Sequence, residues 1–224
     1  MKYVATPLLI ASLLFLGPVS ARAFPTSSEM NRVQNASAVF SQMTAAIPPF
    51  VLRNAKGIAV IPGALQAGFI FGGELGRGIL SARLPNGRWS APSFITLAGA
   101  SFGFQIGGEV RNIVLIFNTR QAVAAAASGN LKLGVGASVT AGPIGAGFGA
   151  NTAMPSVYSY VGSMGAFIGA TVQGAVLSTD YNANVNTYGR VNPLSMPGGS
   201  APGAVRGFVC TVSRATGAPT SVCG

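Results

Sequence analysis

Histidine is absent from this chain of 224 residues, and carboxylates are nearly so, with Glu29, Glu74, Glu109 and Asp180 the only four. Without histidine, a serine or cysteine nucleophile lacks its usual proton acceptor. A zinc site likewise loses its nitrogen ligands, and two thiols make half a site at best. The four carboxylates are far apart in sequence and suggest no acid/base pair. Nor does any glycine-rich stretch end in the Lys-Ser/Thr of a phosphate loop. One tryptophan and five tyrosines are thin for the two aromatic girdles of an outer-membrane barrel, and the alternating runs are short for its strands. Between Leu133 and Thr179 there is no charged residue. A chain 49% hydrophobic and only 8% charged is nevertheless no candidate for disorder, which needs the opposite balance.

The first 23 residues read as a secretory leader. Lys2 gives a basic start, Leu8 to Leu16 an apolar core of signal-peptide length, and Ala21-Arg22-Ala23 a small-x-small cleavage site, so the mature chain is expected to begin at Phe24. An uncleaved anchor would need a longer core. Export to the periplasm or the medium follows as the expectation. In that oxidising setting Cys210 and Cys223, the only two cysteines, are expected to pair and tie down the C-terminal end.

Without Lys2 and Arg22, twelve basic residues face four acids. The excess points either to an acidic partner or simply to solubility in a chain poor in charge. The cations are scattered singly, and export argues against nucleic acid, which leaves anionic lipid or another polyanion.

Thr26-Ser27-Ser28-Glu29 fits a capping box. After it Met30, Val33, Ala36, Phe40, Met43 and Ile47 recur at helical spacing, with Pro48-Pro49 as the stop. Such a helix either lies on a bilayer or covers a sheet, and its thinly charged polar face favours the second. Beyond it the period becomes two. Phe102, Phe104 and Ile106 alternate with glycine and glutamine, and Leu131 to Val139 alternate with Lys132, Gly134, Gly136 and Ser138. Pro85-Asn86-Gly87 marks a tight hairpin, Ile113 to Phe117 a buried strand, and Thr119 to Ser128 a short helix. So many glycines within strands imply a sharply bent sheet. The expected fold is α+β: a curved, glycine-rich, mainly antiparallel sheet, barrel-like or sandwich, with one N-terminal and one inserted helix. The expected organisation is a leader over 1–23, a domain over 24–191 and a Pro/Gly-rich tail over 192–224.

Gly99-Ala100-Ser101-Phe102-Gly103 matches the spacing of a nucleophile elbow. It runs into alternating apolar residues where an elbow should turn into a helix, and only Lys56 or Lys132 remains as a base. A hydrolase built on Ser101 is therefore the weakest reading.

Ala55 to Gly108, with its basic-glycine opening, glycine pairs, Pro-Asn-Gly turn and Arg88-Trp89-Ser90-Ala91-Pro92, resembles the opening half of a SYLF (Ysc84-like) domain. Leu133-Gly134, Ala141-Gly142-Pro143-Ile144-Gly145, Tyr158-Ser159-Tyr160, Gly165 to Gly169, Gln173-Gly174, Asp180, Asn184 and Tyr188-Gly189 extend the resemblance to about residue 189. Gly136 and Asn112 stand where the family commonly has acids, so roles of those carboxylates do not carry over. The resemblance implies a non-enzymatic lipid-binding domain with no cofactor. Eukaryotic members bind phosphoinositides, fungal ones also associate with actin, and exported relatives would meet anionic phospholipid. A structural protein of the cell envelope is the alternative. The expected lipid contacts are Arg53, Lys56, Arg77, Arg83 and Arg88, with Trp89 beside the last. At roughly 1 kcal/mol per cation, three or four give only about millimolar affinity, so an apolar contact must add to them. Trp89 and the Met30–Ile47 helix are the candidates, although either also suits a core.

Overall fold

A computed structural model describes residues 25–69, 71–102, 107–129, 131–142, 154–163, 166–168, 172 and 174–223. The leader and the motifs at 103–106, 143–153, 164–165, 169–171 and 173 lie outside the described residues.

Helix α1 (Ser27–Thr44) opens as the sequence requires. Thr26 N–H donates to Glu29 Oε2 at 2.7 Å, and the Thr26 hydroxyl bonds the same carboxylate. Val33, Ala36, Phe40, Met43 and Ile47 of the apolar stripe are buried, so the helix covers a sheet. The proline pair does not end it. α1 stops at Thr44, and Pro49 begins a second short helix, α2 (Pro49–Asn54), at the position where a missing N–H costs nothing.

Four long strands follow: β1 (Gly57–Phe69), β2 (Phe71–Ala82), β3 (Ser93–Phe102) and β4 (Gly107–Phe117). Helix α3 (Arg120–Ala127), capped by Thr119, is the inserted helix expected over 119–128. Then come β5 (Leu131–Lys132), β6 (Val139–Ala141), β7 (Val157–Ser163), β8 (Ala166–Ile168) and β9 (Val176–Thr179), helix α4 (Tyr181–Tyr188), one 3-10 turn (Gly198–Ser200) and helix α5 (Gly203–Thr216). The strands form one sheet in the order β5-β9-β3-β2-β1-β4-β7-β6, with β8 on β7; β6–β7 is parallel and the other pairs are antiparallel. This is the mainly antiparallel α+β architecture expected.

The sheet has two apolar faces. Ile58, Val60, Ile79, Phe94, Val114 and Ile116 face α1, α2 and α5. Ala59, Ile61, Leu80, Leu97, Ile113 and Leu115 face the other way, onto Ala122, Val123 and Ala126 of α3 and onto Leu131 and Leu177. β1 slips register on both sides at Pro62-Gly63, where Gly63 takes φ +60° and its N–H bonds Asn112 Oδ1 at 3.0 Å. This bulge bends the strand and swaps its faces. Glycine lets the strands come close: a side chain at Gly78 would run into the Val60 carbonyl and Ile61.

Two expectations need correction. Leu131 to Val139 is not one strand, because Gly134 at φ +86° reverses the chain and Gly134 N–H bonds Ala137 O. Leu131, Leu133, Ala137 and Val139 are still buried, whereas Val135 at the turn is 77% exposed. The second is 192–224, expected as a Pro/Gly-rich tail held by the two cysteines, which carries a packed helix. α5 buries Val205, Phe208, Val209 and Val212, and Phe208 meets Phe40 of α1 edge-on at 6.3 Å. Cys210 and Cys223 are bridged, with Cα atoms 5.1 Å apart, which fastens the last residues to that helix.

Candidate functional site

The cations single out one end of the long strands. β1 begins where β2 and β4 end, since Gly57 faces Ala82 on one side and Phe117 on the other. Lys56 N–H bonds Phe117 O at 2.7 Å, and Arg83 N–H bonds Lys56 O at 2.8 Å. Arg53 lies in the last turn of α2 just before, and the turn at 84–88 carries Arg88 just after. Arg120, at the start of α3, reaches the Arg83 carbonyl with Nη1 at 3.5 Å. Five cations therefore surround the strand ends: Arg53, Lys56, Arg83, Arg88 and Arg120. Arg53, Arg88 and Arg120 are exposed, and Lys56 and Arg83 are half-buried.

All four acids are committed elsewhere. Glu29 closes the α1 cap. Asp180 holds Arg32 at 2.8 Å and caps α4. Glu109 holds Arg111 at 2.7 Å. Glu74 is buried in β2, eight residues before the strand's last residue. Among the described residues the basic end thus has no acidic side chain beside it to cancel it.

The expected contacts divide. Arg53, Lys56, Arg83 and Arg88 meet at this end. Arg77 is exposed but sits further along β2, opposite Thr96, beside a shallow hollow lined by Asn31 and Asn35. Trp89 is no surface anchor. It is 1% exposed and donates from Nε1 to Thr216 Oγ1 at 2.9 Å, with the Arg83 guanidinium 5.0 Å over its ring. Arg83 also donates from Nε to Ala55 O at 2.9 Å, and burial lowers its pKa. Its first duty is therefore to lock the strand ends together. Arg120 was the cation the sequence hid, because only the fold brings the start of α3 to this end.

With Trp89 and the α1 stripe in the core, neither supplies an apolar contact. One group of exposed apolar side chains lies at the opposite end, where Leu75, Leu65 and Val110 are register partners on three adjacent strands, 64%, 48% and 60% exposed. In the adjoining row, on the reverse face, sit Glu74, Gln66 and Glu109.

Ser101 pairs with Gly72 within β3, whose backbone runs on as strand to Phe102. Among the described residues Ser101 thus lies in regular strand rather than at the turn where an elbow holds its nucleophile.

A family model described as "Ysc84: Las17-binding protein actin regulator" matches residues 98–213. That span includes α5. Protein YSC84 of Saccharomyces cerevisiae is 42% identical over 149 residues, 64% of this chain and 32% of that protein. An SH3 domain-containing protein of Schizosaccharomyces pombe is 43% identical over 148 residues, 63% of this chain and 34% of its own length. The human SH3 domain-containing YSC84-like protein 1 is 42% identical over 146 residues, 63% and 42% of the two chains. This chain therefore spans less than half the length of these relatives. Two of these names mention an SH3 domain, and the family description speaks of Las17 binding and actin regulation.

Proposed function

This chain belongs to the Ysc84 (SYLF) family, and from that premise we propose that it binds anionic phospholipid surfaces peripherally and without catalysis. The observation that carries the proposal is the basic end. Arg53, Lys56, Arg83, Arg88 and Arg120 converge there, and the four acidic side chains are engaged or buried elsewhere. Unneutralised cations on one rigid face attract a negative leaflet at about 1 kcal/mol each, and the attraction weakens with salt. None of the described helices is long and apolar enough to cross a membrane, which suits attachment from one side. Export is part of the proposal: the leader at 1–23 and the Cys210–Cys223 bridge both fit a periplasmic or secreted protein meeting a membrane surface.

A protein partner is the second reading, favoured by the family description, which speaks of Las17 binding and actin regulation. The two separate in one experiment, co-sedimentation of the chain from Phe24 onward with vesicles of pure phosphatidylcholine or with added phosphatidylglycerol. Pelleting with the anionic vesicles alone, released by high salt, is the expected outcome. Equal pelleting on both kinds in high salt would replace peripheral attraction by insertion. A chain left in solution throughout would overturn lipid binding and leave the protein-partner reading.

A further inference from the structure

Beside the basic end lies a cavity of about 250 Å³, between the 197–200 segment, α5 and residues 219–222. Arg88 and Trp89 form one side, Ser200 and Ser221 others, and Ser213 of α5 lines it from within. Ser213 is 1% exposed, yet its Oγ has no hydrogen-bond partner in the structure. A buried hydroxyl without a partner is costly, and a ligand or water in the cavity would satisfy it. The walls are fixed before any ligand arrives. Gly198 N–H bonds Trp89 O at 3.0 Å, Ser90 bridges to Pro197, and the Cys210–Cys223 bond straps the 219–222 segment to α5.

We infer that this cavity is a binding site for a phosphate ester, with Arg88 taking the phosphate charge and Ser213 one of its oxygens. No lining residue is acidic; the polar groups are one guanidinium and three serine hydroxyls, a set that donates to an anion. The space exceeds a bare phosphate and suits a small ester such as a glycerophosphate. Trp89 and Val222 would pack against its carbon atoms. This rests on the anionic-lipid reading for the ligand's source: the headgroup of a lipid in the leaflet facing the basic end. A free phosphate ester would carry the same chemistry.

Trp89, the only tryptophan, lines the cavity and reports on it. The experiment follows Trp89 emission while the chain from Phe24 onward is titrated with sn-glycerol-3-phosphate, with inorganic phosphate and with phosphatidylglycerol vesicles. Wild type, Arg88→Gln and Ser213→Ala are compared, with Lys132→Gln, exposed on β5, as control. Thermal melts confirm that each variant folds. A saturable emission change is expected, strongest for the ester, weakened roughly tenfold or more by Arg88→Gln and about threefold to tenfold by Ser213→Ala. Lys132→Gln should bind as wild type does. A response to vesicles and to glycerophosphate places a lipid headgroup in the cavity; a response to soluble ester without vesicle binding keeps the site but overturns the membrane reading. Vesicle binding with no emission change, or a change equal in all four proteins, would overturn the cavity site and leave the membrane reading standing.

Discussion

The two ends of the long strands are built in opposite ways. At the basic end both faces of the sheet are dry, with α1, α2 and α5 on one side and α3 with β5 and β9 on the other. Charge is confined to the rim. Past the bulge at Pro62-Gly63 the outer face bears exposed Leu65, Leu75 and Val110, and the inner face bears Gln66, Glu74, Glu109 and Arg111. The first end is a packed core rimmed by cations, whereas the second is thinly packed and exposes apolar side chains.

The sharpest way to break this contrast is to truncate one large apolar residue at each end. Phe208, fully buried between α5 and α1, should cost about 3–5 kcal/mol when changed to alanine. Leu75→Ser, at a site 64% exposed, should stay within about 0.5 kcal/mol. Urea denaturation of both variants measures this. Comparable losses would mean that the far end is part of the core after all.

Neutralising Lys56 and Arg120 together removes about 2 kcal/mol of attraction, a drop of roughly 30-fold in vesicle affinity at low salt. Leu65→Ser with Leu75→Ser should leave that low-salt affinity unchanged if the basic end is the contact. Vesicle co-sedimentation across a salt series reads both. Loss confined to the leucine double variant, and persisting in high salt, would transfer the membrane contact to the far end.

How much of this was legible in the sequence depended on the range of the interactions. The Thr26–Glu29 box, the α1 stripe, the turn at Gly87 and the run Ile113–Phe117 are set by neighbours within a few residues, and each took the expected form. Val205, Phe208, Val209 and Val212 also have helical spacing, but Pro202, Gly203 and Gly207 around them gave the look of a tail. Pro202 in fact stands as the cap of α5, where it is tolerated. The strand expected through Gly134 and Gly136 failed because glycine mimics the small face of an alternating strand while permitting a reversal. Of the candidate site, four of the six expected contacts meet. Arg120 and Ser213 arrive from the inserted helix and from α5, and the burial of Trp89 depends on Thr216, 127 residues away. No local pattern reports such contacts.

The smallest expected effect concerns the inner face of the far end. Glu74 is 7% exposed, its Oε1 has no partner, and burial raises its pKa above the ordinary 4.5, with Arg111 only partly opposing. The folded chain therefore holds this proton more tightly than the unfolded chain does. Between the ordinary value and the raised one the folded state binds more protons, so Glu74 makes stability fall as pH rises through that window. Above the raised value the penalty is complete and constant. Glu74→Gln keeps the shape without the charge, opposite a Gln66 whose own Oε1 is buried and unpaired. Thermal melts from pH 4 to pH 8 should show the variant more stable than wild type at neutral pH, with the difference shrinking towards pH 4. A variant less stable than wild type at neutral pH, with the deficit shrinking towards pH 4, would mean that the ionised carboxylate is held by Arg111, and that the far end is knit by charge where the basic end is knit by packing.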